Sequence, residues 1–451
     1  MTPSPATPIT EEHRLKQTAS TIFTAGVQAV DPWRCIHKWM HLDKDGLRIR
    51  DRVISLQGIE RIVLVGMGKA SAAMAAAVED ILGDRIHDGC IITKYGHARP
   101  VHHCRILEAA HPVPDEQGVQ ATDALIDVVR SAGPRDLILC LISGGGSALS
   151  PAPAEGITLA DKQAVTRSLL GCGATIHEVN TIRKHLSRLK GGQLCRYAHG
   201  ARVISLILSD VIGDDLDIIA SGCTAPDTST FADCMRILKG YALDQSIPAS
   251  VLKHLSQGFG GHIQETPKPG DPIFASTDNC IIGSLDEALR AAEEEASSQG
   301  FSCLRLTSVL QGEAREVAKV LGSVGKEVRM RHRPLPPPAC ILSGGETTVT
   351  LKGPGLGGRN MELALAAGIE LSGVQGMLLL SAGTDGTDGP TEAAGAFASG
   401  STTTRAEHMG LSAKTSLSAN DSYHFFQNID DLFITGPTGT NVMDMQILLI
   451  S

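Results

Sequence analysis

The chain has 451 residues, 42% hydrophobic and 20% charged, a globular balance that excludes collagen, coiled coil and bulk disorder. A formal charge of −9 gives no electrostatic reason to seek nucleic acid or an anionic membrane, and no apolar run approaches the roughly 18 residues of a membrane span. The oddity is glycine: 48 residues where average usage predicts about 32, beside only 9 Phe, 4 Tyr and 2 Trp.

The start, MTPSPATPITEEH, has neither the basic and apolar regions of a secretory leader nor the arginines of a transit peptide, so a cytoplasmic location is expected. Eleven Cys without a CxxC pair fit free thiols in a reducing compartment. The first 45 or so residues read as helical. There, His37 and His41 share a helix face, but Cys35 lies off it and no second ligand pair follows, so a metal site is not favoured. Next, RIVLVGMGKA reads as a buried strand ending in glycine, and SAAMAAAVEDIL as a strong helix. GCIITKYGH, DLILCLISGGGS and ARVISLILSDVIG repeat the strand-to-turn form, with helices at GVQATDALIDVVRSA and over 161–198 between them. Such alternation predicts an α/β fold with a parallel sheet covered on both faces.

A turn-rich stretch, Ser256–Asp271, divides the chain into an expected first domain, 1–255, and a second α/β domain, 256–451. The second contains a strand–helix–strand unit, DNCIIGSLDEALRAAEEEASSQGFSCLRLTS, then ACILSGGETTVT, MELALAAGIEL, MLLLSAGTDGTDG and the closing DLFITGPTGTNVMDMQILLI. The last strand is read as able to pack back on the first domain.

Glycine at the carboxyl end of a strand lets the backbone approach a ligand and turns amides toward an anion. GMGKAS (66–71), SGGGS (143–147), SGGET (343–347), GTDGTDG (383–389) and TGPTGT (435–440) together predict sites for phosphates. GMGKAS is not a dinucleotide fingerprint, since Ser71 replaces the third glycine and the next strand ends in Lys94 instead of an acid. Nor is it a P-loop, with Val63 at the first glycine position. Lys69 beside a helix start fits an anion site and a solvated turn equally. Arg359 and Asn360 open a helix after four glycines, where Arg suits a bidentate grip on carboxylate or phosphate. Asp385, Asp388 and Glu392 are hard oxygen ligands suited to Mg²⁺, although aspartates in such turns also serve as caps. NTIRKHLSRLKGG places Arg183, Lys184, His185, Arg188 and Lys190 on one expected helix, mostly solvated. Asp210, just after a strand, could handle a hydroxyl proton.

VGMGKAS, AAHPVPDEQG, LISGGGSALS, NTIRKHLSRLKGG, SDVIGDD, SGGETTV, GGRNMELAL, AGTDGTDGPTEAAGA, NDSYHFF and TGPTGTNVMDMQ, in this order from about residue 15 onward, resemble the glycerate 2-kinase family. The resemblance implies two α/β domains around a deep cleft, the first Rossmann-like, and ATP- and Mg²⁺-dependent phosphorylation of D-glycerate on its 2-hydroxyl. It maps the family's lysine onto Lys69 and its arginine onto Arg359. The catalytic set expected on this basis is Lys69, Arg359 and Asp210. Gly66, Gly68, Ser143, Gly144, Gly145, Gly146, Ser147, Asn180, Lys190, Gly344, Gly345, Glu346 and Asn360 are expected to hold substrate or nucleotide, with Asp385 and Asp388 as partners of Mg²⁺. The expected partners are D-glycerate and ATP, with a homodimer as the assembly. Two alternatives stay open: an NAD(P)H-dependent hydroxypyruvate reductase, which Lys94 disfavours, and a non-catalytic sensor of a phosphorylated acid.

Overall fold

A computed structural model describes residues 10–451. The chain falls into two compact units. One is Pro32–Ile282; the other joins the helix Glu11–Ala29 to Gly283–Ser451. The first nine residues, on which the reading of a leader-free start partly rests, lie outside the described residues.

The Pro32–Ile282 unit opens with a small antiparallel meander, β1 (Met40–Asp43), β2 (Gly46–Ile49) and β3 (Arg52–Ile54). Its main sheet has six strands: β4 (Arg61–Met67), β5 (Ile86–Lys94), β6 (Arg105–Ala109), β7 (Asp136–Ile142), β8 (Arg202–Leu208) and β9 (Thr277–Gly283). Their order is β6-β5-β4-β7-β8-β9, with β4, β5, β6, β7 and β8 paired in parallel. This is the doubly wound dinucleotide-fold order, and the expected Rossmann-like parallel sheet is what forms. Every residue of β7 is buried, as a strand covered on both faces requires. Helices Ser71–Leu82 and Glu116–Arg130 cover it, the second capped by Asp115, whose carboxylate accepts the Gly118 N–H.

The other unit carries a mixed sheet of β10 (Ser302–Leu310), β11 (Ala339–Gly345), β12 (Met377–Gly383), β13 (Gly395–Ser399), β14 (Leu432–Phe433) and β15 (Asp444–Ile450), ordered β10-β11-β15-β12-β13-β14. Only β10 and β11 run parallel; β15 lies antiparallel between β11 and β12.

Four expectations are corrected. The division does not fall at residue 256. The turn-rich stretch is fastened to the first unit, where Asp227 donates its N–H to Pro267 O and accepts the Thr266 hydroxyl, and β9 beyond it completes the parallel sheet. The strand–helix–strand unit is therefore split, since β10 pairs with β11 in the other sheet. The closing strand does not return to the first domain; fully buried β15 fills the centre of the second sheet. Finally, 161–198 is three helices, Leu159–Gly171, Ile176–His185 and Gln193–Tyr197. The second ends because the chain turns to pair with Pro153–Ala154: Ala154 donates to Leu186 O, and Arg188 to Ala152 O. Arg188 and Lys190 thus lie beyond the helix that holds Arg183.

Candidate active site

In the parallel sheet, β4 and β7 are the neighbours at which strand order reverses, and ligands of such folds bind at the carboxyl ends of that pair. GMGKAS follows β4 and SGGGS follows β7. Their contact is intimate. Gly68 has φ +135°, and a side chain there would collide with Ser143. The Gly68 N–H donates to Ile92 O (3.1 Å), that of Lys69 to Gly144 O (2.9 Å) and that of Ala70 to Ser143 Oγ (3.0 Å). The Ser71 hydroxyl donates to Gly68 O and Ile92 O. The amides of this turn are therefore spent on the protein, which corrects the expectation that Gly68 and its neighbours cradle an anion. Gly66, inside β4, faces Leu141 and Ile91 and serves packing. Ser143 is likewise a buried brace.

What the turn presents is the Lys69 side chain, half-buried and without an ion-pair partner among the described residues. Its Cγ and the His111 ring lie against the α carbon of Gly145, where a Cβ would come within 3.3 and 2.9 Å of them. The Asp210 carboxylate lies against the α carbon of Gly144. Burial first, then Lys69, Lys94 and His97, push His111 down to about 4, so a neutral imidazole stands beside the Lys69 ammonium at neutral pH. Unlike the first turn, SGGGS keeps amides in reserve: the N–H groups of Gly144, Gly145 and Ser147 meet no protein acceptor among the described residues, whereas Gly146 donates to Ser143 O. Gly146 itself packs on Ala220 and Met67.

A second group of polar residues closes on Ser147. Its hydroxyl is 2.9 Å from Ser221 Oγ, which donates to Asn180 Oδ1 (3.1 Å), and Lys190 Nζ donates to Ser147 O (2.7 Å). Ala220 and Ser221 take left-handed φ values of +49° and +58°, followed by Gly222 at +63°, a strained corner of the kind that positions functional groups.

The GGRN and GTDGTDG turns meet in the other unit. Asp444, at the head of β15, is paired across from both Gly345 and Gly383, because β15 runs against its neighbours. Arg359, first residue of the helix Arg359–Glu370, donates through Nε to Asp444 Oδ2 (2.5 Å) and through Nη2 to Oδ1 (3.0 Å), and its Nη1 lies 2.7 Å from Glu346 Oε1. Burial pushes Asp444 up, against the pull of Arg359. Asp388 caps the same helix: Oδ1 accepts the N–H of Asn360 (3.1 Å) and Oδ2 that of Met361 (2.8 Å). Asn360 Oδ1 accepts the Ser381 hydroxyl, so Asn360 too is bound into the protein. Gly344 and Gly345 lie within β11, where Cβ atoms would strike Leu285 and Leu310.

For a divalent ion the fit is narrow. Each Asp388 oxygen already accepts an N–H at a helix end, and Glu392 is engaged by the Tyr423 hydroxyl (2.5 Å). Asp385 folds into a turn in which only Oδ1 accepts, from the N–H and hydroxyl of Thr387, leaving Oδ2 without a donor among the described residues. No cluster of three His, Cys, Asp or Glu suited to a metal occurs among those residues. Asp385 can offer one carboxylate oxygen to an ion that arrives with phosphates.

Residues 18–256 match a domain of unknown function, DUF4147, and residues 339–444 match the MOFRL family. The D-glycerate 2-kinase of Thermotoga maritima is 41% identical over 437 residues, covering 97% of this chain and 98% of its own. The chain belongs to the glycerate 2-kinase family. The glycerate 2-kinase of Pyrococcus horikoshii is 38% identical, over 94% of this chain and 95% of its own. The crystal structure of the Thermotoga maritima glycerate kinase superposes with a TM-score of 0.86 at 41% identity, over 97% of this chain and all of that one.

The family's strings thus gather at two strand-end sites, one in each unit. Sequence reasoning missed His111, Ser221 and Asp444. His111 and Asp444 sit in quoted strings, AAHPVPDEQG and NVMDMQ, and an acid at the head of an apolar strand was the available signal for Asp444. Ser221 left none, since its position depends on the 220–222 corner.

Proposed function

We propose that the protein is a glycerate 2-kinase that transfers the γ-phosphoryl group of ATP to the 2-hydroxyl of D-glycerate, giving 2-phosphoglycerate and ADP. The observation that carries this reading is Lys69, without an ion-pair partner among the described residues, at the strand-order reversal of a doubly wound sheet, in a chain 41% identical over nearly its whole length to a D-glycerate 2-kinase. Phosphoryl transfer needs in-line positioning and cancellation of charge on the equatorial oxygens, more than covalent help. In this reading Lys69 contacts the transferring phosphoryl oxygens, and the spare amides of Gly144, Gly145 and Ser147 hold neighbouring anionic oxygens. Asp210, beside Gly144, orients the substrate hydroxyl and takes its proton, while neutral His111 adds a hydrogen-bonding group without further charge. Mg²⁺, when bound, would supply charge neutralisation on phosphates, and within the Gly283–Ser451 unit Asp385 Oδ2 is the oxygen that would hold it. Of the five N–H donors of Arg359, three are taken by Asp444 and Glu346; the remaining two are left to grip a phosphate or carboxylate. Among the described residues no helix is long and apolar enough to cross a membrane.

The test is ADP release from ATP with and without D-glycerate, followed by phosphorus NMR of the product. ADP release that depends on D-glycerate, with the resonance of 2-phosphoglycerate, supports the reading. ADP release indifferent to D-glycerate overturns it, and the resonance of 3-phosphoglycerate overturns the assigned hydroxyl.

A further inference from the structure

Five basic residues crowd the NTIRKHLSRLKGG segment, and their partners divide them. Lys184 donates to Asp217 (2.9 Å) and Asp227 (3.2 Å), His185 meets Glu265 (3.1 Å), and Arg188 donates to Asp123 (2.6 Å). Arg183 and Lys190 have no carboxylate within ion-pair distance among the described residues; the only bond of Lys190 Nζ is to the Ser147 carbonyl.

A third cation joins them from another helix. Lys162 sits on the buried face of Leu159–Gly171, in line with Leu159, Val165 and Leu169. It is 8% exposed, and its Nζ is buried without a hydrogen-bond partner among the described residues. A lysine at an apolar-face position, with its ammonium unanswered, is costly and calls for a counter-charge. Arg183 and Arg188 disfavour charge on Lys162, and Lys162 and Arg183 disfavour it on Lys190, while among the described residues no carboxylate favours charge on either lysine. Burial leads in every case, pushing Lys162 down to about 7 and Lys190 well below its usual range.

Their place is set by Asn180 and Ser147. Asn180 lies three residues before Arg183, on the same helix face, and its side-chain nitrogen meets no protein acceptor among the described residues. Asn180 touches Ser221, Ser221 touches Ser147, and Lys190 touches Ser147 from the other direction. Lys190 and the Asn180 face of the helix that holds Arg183 therefore back onto the SGGGS turn, where amides are also in reserve, and Lys162 joins them through its repulsion of charge on Lys190.

We propose that Lys162, Arg183 and Lys190, with the Asn180 amide, form an oxyanion pocket behind Ser147 that takes a carboxylate or phosphate group of a bound substrate. The pocket rests on the reading above only for the identity of its occupant: the carboxylate of D-glycerate or a phosphate of the nucleotide. Either supplies the counter-charge that the protein withholds: the Arg183 guanidinium suits both, and a bound anion favours the protonated form of Lys162 and Lys190.

The test uses the full chain with Lys162→Met, which keeps the length and apolar stem, and Arg183→Gln, which carries the test should the first variant fail to unfold cooperatively. Dissociation constants are measured by calorimetry for sodium D-glycerate and, separately, for ADP. A rise of at least tenfold in every variant that unfolds cooperatively supports the pocket: for D-glycerate alone it places the carboxylate there, for ADP alone a phosphate, and for both it shows that the pocket accepts either anion. Changes under twofold for both probes, in variants that unfold cooperatively, overturn the pocket. The kinase reading fails separately: Lys162-dependent binding without ADP release in the presence of D-glycerate sinks that reading and leaves the pocket standing.

Discussion

Arg359 and Asp444 form a two-pronged ion pair, Nε to Oδ2 at 2.5 Å and Nη2 to Oδ1 at 3.0 Å, with the carboxylate almost wholly buried. Removing the guanidinium strands a buried charge, and breaking such pairs costs about 3 kcal/mol or more. Arg359→Met should therefore lower stability as well as turnover, so a loss of activity alone would not establish a catalytic part. The double variant Arg359→Met with Asp444→Leu should recover much of the stability and none of the turnover. Denaturant unfolding of both, beside kcat, makes the comparison; a single variant as stable as the parent would show that the fork holds nothing together.

Lys69 is the contrasting case. It is half-buried but without an ion-pair partner among the described residues, so Lys69→Ala should cost about 1 kcal/mol or less, well below the loss for Arg359→Met. Its effect on kcat should be about 10²-fold or greater, the scale of losing one preorganised donor to a developing anion. Near-normal turnover by the folded variant would remove Lys69 from the mechanism.

These two residues mark what the sequence could and could not tell. Both stood out as cations at glycine turns before helices, and the alternation of apolar strands with helices correctly announced the parallel sheet. Whether a turn's amides face a ligand or the protein was not legible, because the answer for Ala70 lies with Ser143, 73 residues away. Nor was the position of β15: an apolar strand at the end of a chain carries no mark of its neighbours, and its placement between β11 and β12 is what brings Asp444 to Arg359. Lys162 was invisible for a different reason. Its helix is polar enough that one lysine on the inward face does not disturb the pattern, and only its missing counter-charge reveals it.

Asp388 should leave a signature in the pH dependence of stability. Burial, the leading cause, raises its carboxyl from 3.8 to about 7, against the helix N–H groups that favour the anion. The folded chain thus binds this proton more tightly than the unfolded one. Its contribution is fully present below about pH 3.8 and is lost as pH rises through about 7. Asp388→Asn cannot ionise and should flatten this part of the curve. The lost acceptor for the Met361 N–H adds an offset that does not vary with pH. Melting temperatures from pH 4 to 8 should therefore fall more steeply for the parent than for the variant; parallel curves would show that Asp388 is ionised throughout.

The junction of the two turns at the parallel sheet offers a last test. Ser143→Ala deprives the buried Ala70 N–H of its acceptor, which costs about 1–3 kcal/mol. Gly68→Ala should cost more, since it forces a side chain into left-handed backbone and against both the hydroxyl and the carbonyl of Ser143. Removing the hydroxyl cannot relieve the carbonyl contact, so the double variant Gly68→Ala with Ser143→Ala should be no more stable than Gly68→Ala alone. Because the same junction sets the direction of Lys69, both single variants should also lower kcat, Gly68→Ala the more. Thermal unfolding and turnover of the three proteins decide the matter: recovery of stability in the double variant would mean that the hydroxyl, not the backbone approach, dictates glycine at this position.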